Sequence, residues 1–180
     1  MNKRLRAFFV CLAMLALVGT AQAAQHNRDR RIADDVAAAV NAFPHFTIFD
    51  DVDVRVENGI VTLEGKVTMP YKRDEIGKRA AEVDGVREMS NRITVLPASK
   101  ADDDLRYQIA RSIYGNSNFW DYAIMRNPPI HIVVERGRVT LTGVVRSEVD
   151  RMLARSLATQ FGAFSVTSKL RTDAEVRKGA

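Results

Sequence analysis

VRVENGIVTLEGKV, residues 54–67, returns 78 positions later as IVVERGRVTLTGVV, residues 132–145. The pairs Glu57/Glu135, Gly59/Gly137, Val61/Val139, Thr62/Thr140, Leu63/Leu141, Gly65/Gly143 and Val67/Val145 are identical, more than shared composition produces. In the first copy valines alternate with polar residues, as in a strand buried on one side. A turn dipeptide ending in Gly59 or Gly137 then supplies positive φ, and a second alternating run returns. Upstream, Ile32, Val36, Val40 and Phe46 recur as Leu105, Ile109, Ile113 and Phe119 at an offset of 73, so the second copy carries five extra residues between its first helix and first strand. Two copies of about 70 residues are a duplicated domain; a solenoid array needs at least three repeats.

Both copies predict the order α-β-β-α-β. In the first, Ile32, Val36, Val40 and Phe43 share one helical face over about 29–42, and Pro44 ends it. Val52, Val54 and Val56 form the first strand and Val61, Leu63 and Gly65 the second. Pro70 opens a helix carrying Ile76, Ala80 and Val83, Asp84-Gly85 closes it, and Met89–Leu96 is the third strand. In the second copy Asp102, Asp103 and Asp104 precede Leu105, where carboxylates cap a helix start. Ser147 begins a helix with Val149, Leu153, Leu157 and Phe161 on its inner face, Gly162 ends it, and Val166–Arg171 is the last strand. The fold class is α+β, a tandem duplication, with domains at 24–96 and 102–171, a linker at 97–101 and a loose tail at 172–180.

Residues 1–23 predict a secretory signal peptide cleaved near Ala23. Ala7–Val18 is an unbroken apolar run of twelve, preceded by Lys3, Arg4 and Arg6 and followed by Ala21-Gln22-Ala23. At ~1.5 Å per residue such a run covers about 18 Å, short of the ~30 Å hydrocarbon core, which disfavours a retained anchor. Export to a periplasm is the expectation. The signal takes three of the 27 Lys and Arg and none of the 22 Asp and Glu, lowering the net charge from +5 to +2. That small excess, with no aromatic-lined strand motif, argues against nucleic acid as a partner. Cys11 leaves with the signal, so the mature chain has neither disulfide nor thiol chemistry.

The phrase V-x-V-x-x-G-x-V-T-L-x-G-x-V inside each α-β-β-α-β unit resembles the BON family of bacterial envelope proteins, over about residues 28–96 and 102–171. The resemblance implies a small three-stranded sheet with both helices on one face, and attachment to phospholipid or to other envelope components. Similar two-domain proteins include periplasmic ones induced by osmotic stress and outer-membrane lipoproteins that bind anionic lipid through the second domain. The chain departs from the lipoproteins in lacking a lipid-bearing cysteine at the end of the apolar run. Of the repeated glycines, Gly59 and Gly137 suit the turn, while Gly65 and Gly143 end a strand where a side chain would meet the following helix.

Charge and aromatics are divided unequally between the copies. Residues 24–98 carry 11 Lys and Arg against 13 Asp and Glu, net −2, and residues 99–180 carry 13 against 9, net +4. Seven of the eleven mature aromatics lie in the second copy. A lipid-contact surface is expected on its second helix and the loop before its hairpin, with Arg146, Arg151, Met152, Arg155, Trp120 and Tyr122 as candidates. Two alternatives stand beside it: a solvated helix face for the arginines, and packing for Trp120, Tyr122 and Met125. Lys72, Arg73, Lys78 and Arg79 read as surface charge. Asp50, Asp51 and Asp53 could grip a hard cation, but a solvated turn is the commoner meaning of such a run. His26, His45 and His131 lack ligand spacing, and no nucleophile, zinc or phosphate-loop motif is present, so neither catalysis nor a cofactor is expected. The expected function is a non-enzymatic periplasmic envelope protein binding anionic phospholipid or a membrane surface and supporting envelope integrity or stress tolerance. The alternative is a protein-protein or chaperone-like module without lipid binding.

Overall fold

Each hairpin closes on two residues with positive φ: Asn58 and Gly59 at 53° and 76°, Arg136 and Gly137 at 52° and 72°. This geometry matches the twist of the flanking strands, so a two-residue loop suffices. A computed structural model describes residue 22 and residues 24–179; apart from Gln22, the segment read as a signal peptide lies outside the described residues. The first unit comprises α1 (24–41), β1 (Asp51–Glu57), β2 (Ile60–Val67), α2 (Pro70–Ala81) and β3 (Glu88–Val95). The second comprises α3 (Lys100–Tyr114), a 3-10 turn (Ser117–Phe119), α4 (Trp120–Ala123), β4 (Ile130–Glu135), β5 (Arg138–Val145), α5 (Glu148–Ala158), β6 (Ser165–Ser168), β7 (Arg171–Thr172) and α6 (Asp173–Gly179).

Both sheets share one topology. β1 and β4 pair antiparallel with β2 and β5, and β3 and β6 return parallel to the central strand after a helical crossover. Alternation sends Val61, Leu63 and Val67 inward against Val36, Val40, Ile76 and Ala80. Leu141 and Val145 likewise meet Ile109, Ile113, Phe119 and Ala154. Each such aliphatic side chain taken from water contributes about 1.5–3 kcal/mol, and each unit has its own core. The units are nevertheless docked. Ile48 and Phe49 of the first pack against the core of the second, and Ile132 N donates to Ile48 O at 2.7 Å. Thr142 Oγ1 donates to Asp51 at 2.8 Å, Asn127 Nδ2 to Asn41 O at 2.9 Å, and Lys66 pairs with Glu135.

Several expectations are corrected. The tail is not loose: β7 pairs with β5, and α6 follows it, with Glu175 accepting from Thr172 N at 2.8 Å. The last strand is split in two because Lys169 N turns to Leu141 O and Leu170 enters the core. α1 begins at or before residue 24, several residues earlier than its apolar stripe indicates, with Gln25, Arg28 and Asp29 linked along its surface. Val149 is exposed; Ala154 and Ala158 are the buried residues of α5, with Leu153 and Leu157 beside them. Gly65 and Gly143 lie within their strands at φ of 146° and 110°. An added Cβ would sit 2.1 Å from Asp51 O or 1.9 Å from Pro129 O, so it is the preceding strand, not the following helix, that excludes a side chain.

Asp102 does not cap its own helix; Ser99 does, accepting from Asp102 N at 3.3 Å. The Asp102 carboxylate instead accepts from Arg136 N and Gly137 N, both at 2.8 Å, clamping the hairpin turn. Asp29, 73 positions earlier, does the same to Asn58 N and Gly59 N at 2.9 Å. Partial burial would raise the Asp29 carboxyl, but these amides, with Gln25 and Arg28, bring it below its usual value.

Candidate functional site

The candidate surface is built from α5 and the insertion at 117–129. Ser147 caps α5 by accepting from Asp150 N at 3.1 Å, and the half-buried Leu153, Leu157 and Phe161 orient the helix against the core. Arg146, just before it, bridges the two parts: Nη1 donates to Asp121 Oδ2 at 3.0 Å, Nη2 to Asn118 O at 2.9 Å, and Nε lies 3.5 Å from Asp150. Its guanidinium stands 4.8 Å above the Tyr122 ring. Arg151 is held more tightly still. Glu148 and both Glu175 oxygens, at 3.0 Å each, surround its guanidinium, and Leu170 O accepts at 3.3 Å. Glu148 first and then Glu175 favour its charged form, while Thr172 N and then Arg151 lower the Glu175 carboxyl.

Of the six candidates, the structure leaves Arg155, Met152 and Trp120 exposed, the last two at 58% and 62%. Tyr122 is 4% exposed, packed on Phe119 with its hydroxyl accepting from Arg146 N at 2.9 Å, so its expected surface role is corrected to a core one. Arg146 and Arg151 are also not free surface cations: each is engaged by two carboxylates. Asp121 and Asp150 offset Arg146, and Glu148 and Glu175 offset Arg151. What stands out instead is apolar. Ile124, at 85% the most exposed of the large hydrophobics among the described residues, stands with Trp120 and Met125 on the insertion, and Val149 and Met152 are exposed on α5, the two parts that Arg146 bridges. Sequence periodicity missed Ile124 and Val149; the signal available for Ile124 was its position in the insertion, past the end of any buried stripe.

The remaining charged candidates disperse. Asp50 is fully buried, accepting from Thr47 N, Thr47 Oγ1, Thr68 N and Thr68 Oγ1 at 2.8–2.9 Å and from Lys72 Nζ at 2.6 Å. Lys72 is thus a buried partner, not surface charge. Arg79 is half-buried with its guanidinium 5.0 Å over Phe43, also contrary to expectation. Asp51 turns to Thr142 and Asp53 to solvent, so the acidic run does not converge on one point. No group of three or more metal-ligating side chains occurs among the described residues. None of the helices among them is long and apolar enough to cross a membrane.

Two docked α-β-β-α-β units, each with its own core, define a duplicated α+β fold. The chain belongs to the BON-domain family, whose model matches residues 28–97 and 102–173. BON domains are associated with membrane- or phospholipid-binding envelope proteins, and the family is generally non-catalytic. No curated protein matches the chain. Among solved structures, the C-terminal domain of CdsD, a structural protein of the type III secretion system of Chlamydia trachomatis, is 11% identical with a TM-score of 0.32. The match covers 80% of this chain and 66% of that one, just under two thirds of its length. A second CdsD structure is 12% identical with a TM-score of 0.27, covering 81% and 95%.

Proposed function

We propose that the chain is a non-enzymatic envelope protein, exported to the periplasm, that binds phospholipid surfaces through its second unit and so supports envelope integrity. The observation that carries this reading is the exposure of Trp120, Ile124 and Met125 on the insertion and of Val149 and Met152 on α5, the two parts that Arg146 bridges. Their exposure costs a soluble unit apolar hydration, which insertion among headgroups relieves. Burying Ile124 and Met152 would contribute about 1.5–3 kcal/mol each, and Arg126 and Arg155 about 1 kcal/mol each at an anionic surface. The sum of about 5–8 kcal/mol lies between millimolar and micromolar affinity, a reversible contact. Anionic lipid is favoured by those two arginines, while the apolar anchors carry most of the energy.

Sedimentation of residues 24–180 with phosphatidylglycerol and with phosphatidylcholine vesicles, at low and high salt, tests it. Both vesicle types should retain the protein, the anionic one more strongly at low salt. Ile124→Asp with Met152→Asp should abolish retention by either, and Arg126→Glu with Arg155→Glu should remove only the anionic preference. Failure of both vesicle types to sediment the protein refutes the reading.

A further inference from the structure

The first strand of each unit is an edge strand, and the two units treat that edge differently. Beside a two-residue turn, residues 57 and 60, like 135 and 138, form the hydrogen-bonded pair, so alternate residues direct their backbone groups outward. These are Val52, Val54 and Val56 in β1, and Ile130, Ile132 and Val134 in β4. The β4 edge is covered at four of its six outward backbone groups. Tyr114 Oη donates to Ile130 O at 2.5 Å and accepts from Ile130 N at 3.1 Å, Ile132 N reaches Ile48 O, and Arg106 Nη2 donates to Val134 O at 2.7 Å. At the repeat offset of 73, Tyr114 and Arg106 correspond to Asn41 and Ala33. Neither forms a hydrogen bond to β1, and among the described residues no hydrogen bond is made to the outward backbone groups of Val52, Val54 and Val56.

Where the tyrosine is missing, a cleft of about 760 Å³ opens between the units along this bare edge. Ala37, Val40 and Phe46 of the first unit line it with Asp51, Asp53 and Arg55 of β1, and His131, Lys169 and Arg171 line it from the second unit. Lys169 and Arg171 are exposed and form no salt bridge among the described residues; Asp51 opposite is already engaged by Thr142. A folded domain cannot enter such a space, but one extended chain can. A strand added to β1 would alternate its side chains between an apolar wall and a basic one.

We infer that the outer edge of β1 is a peptide-binding site, taking as an added strand an extended segment of a partner protein in which apolar and acidic residues alternate. The backbone of Val52, Val54 and Val56 supplies affinity, and the two walls supply register. The site lies in the first unit and stands independently of the lipid-contact surface.

The probe is an acetylated, amidated heptapeptide alternating valine and aspartate, titrated into residues 24–180 and followed by amide NMR. In the free protein, hydrogen exchange at the Val54 amide is expected to be at least tenfold faster than at Ile132. Peptide should shift the amides of Val52, Val54 and Val56. Methylating the peptide nitrogens of one parity should weaken binding at least tenfold, and methylating those of the other should not. Ala33→Arg with Asn41→Tyr, which copies the closure of the second unit, should abolish binding; if that variant does not fold, the methylated peptides decide alone. Protection of Val54 equal to that of Ile132, unmoved β1 amides at millimolar peptide, or indifference to the parity of methylation overturns the inference.

Discussion

Replacing Lys72 by methionine should cost the first unit about 3–5 kcal/mol, because it strands the fully buried Asp50 carboxylate without its cation. Methionine retains most of the side-chain volume, so the loss reports the ion pair and not a cavity. Asp50 would keep four hydrogen bonds from Thr47 and Thr68, which orient the carboxylate but do not neutralise it. Against a total stability of about 5–15 kcal/mol such a loss is large. With a urea m-value of about 1.5 kcal/mol/M, the midpoint should fall by roughly 2–3 M. The second unit has Pro128 and Asp150 at the corresponding positions and no equivalent pair. Its core should therefore survive, although Asp50 also pins the loop that carries Ile48 and Phe49 onto that core. Exchange of the Ile132 amide, bonded to Ile48 O, should accelerate together with the drop in midpoint. Asp50→Asn should show a comparable loss, and the double variant should lose clearly less than the sum of the two. A Lys72→Met midpoint within about 0.5 M of the parent, at unchanged m-value, would refute the reasoning.

Asp102→Ala removes an acceptor, 4% exposed, from two turn amides and should cost about 1.5–3 kcal/mol in equilibrium denaturation; Asp29→Ala, at a more exposed clamp, should cost less. Gly143→Ala places a Cβ 1.9 Å from Pro129 O and should leave the second unit without a cooperative unfolding transition. Gly162→Ala, at φ 72° in open space, should lose only about 1–2 kcal/mol; equal behaviour of the two variants would contradict the steric account. Burial lifts the Asp51 carboxyl above its ordinary value, against the lowering by the Thr142 hydroxyl. A carboxyl raised in the folded state imposes no cost below its unfolded value and destabilises as pH rises through the folded one. Asp51→Asn, which still accepts from Thr142, should raise the urea midpoint at pH 7 and flatten its fall with rising pH; a lower midpoint at pH 7 refutes that sign.

The duplication, the order of elements and both hairpin turns were legible because they depend on residues close in sequence. Alternating valines, positive-φ glycines and i, i+3, i+4 apolar spacing act through the backbone of their own segment. The candidate surface was legible only in composition. Trp120, Met152 and Arg155 are exposed, but Tyr122 is drawn into the core and Arg146 and Arg151 are claimed by Asp121, Asp150, Glu148 and Glu175. Glu175 belongs to a tail whose polar composition carries no hint that β7 ties it to β5.

Sequence by itself therefore determined the helices and strands that the two copies share, where their hairpins turn, and that one unit is written twice. Tertiary structure alone decided which charges are spent on one another: Asp50 with Lys72, Asp102 with the turn amides, Arg151 with Glu175. It also decided that the edge of β4 is covered while that of β1 is bare. The physical reason is range: backbone preferences act over a few residues, whereas pairing a charge or joining the two units depends on groups 22 to 91 positions apart that only the completed fold brings within 3 Å.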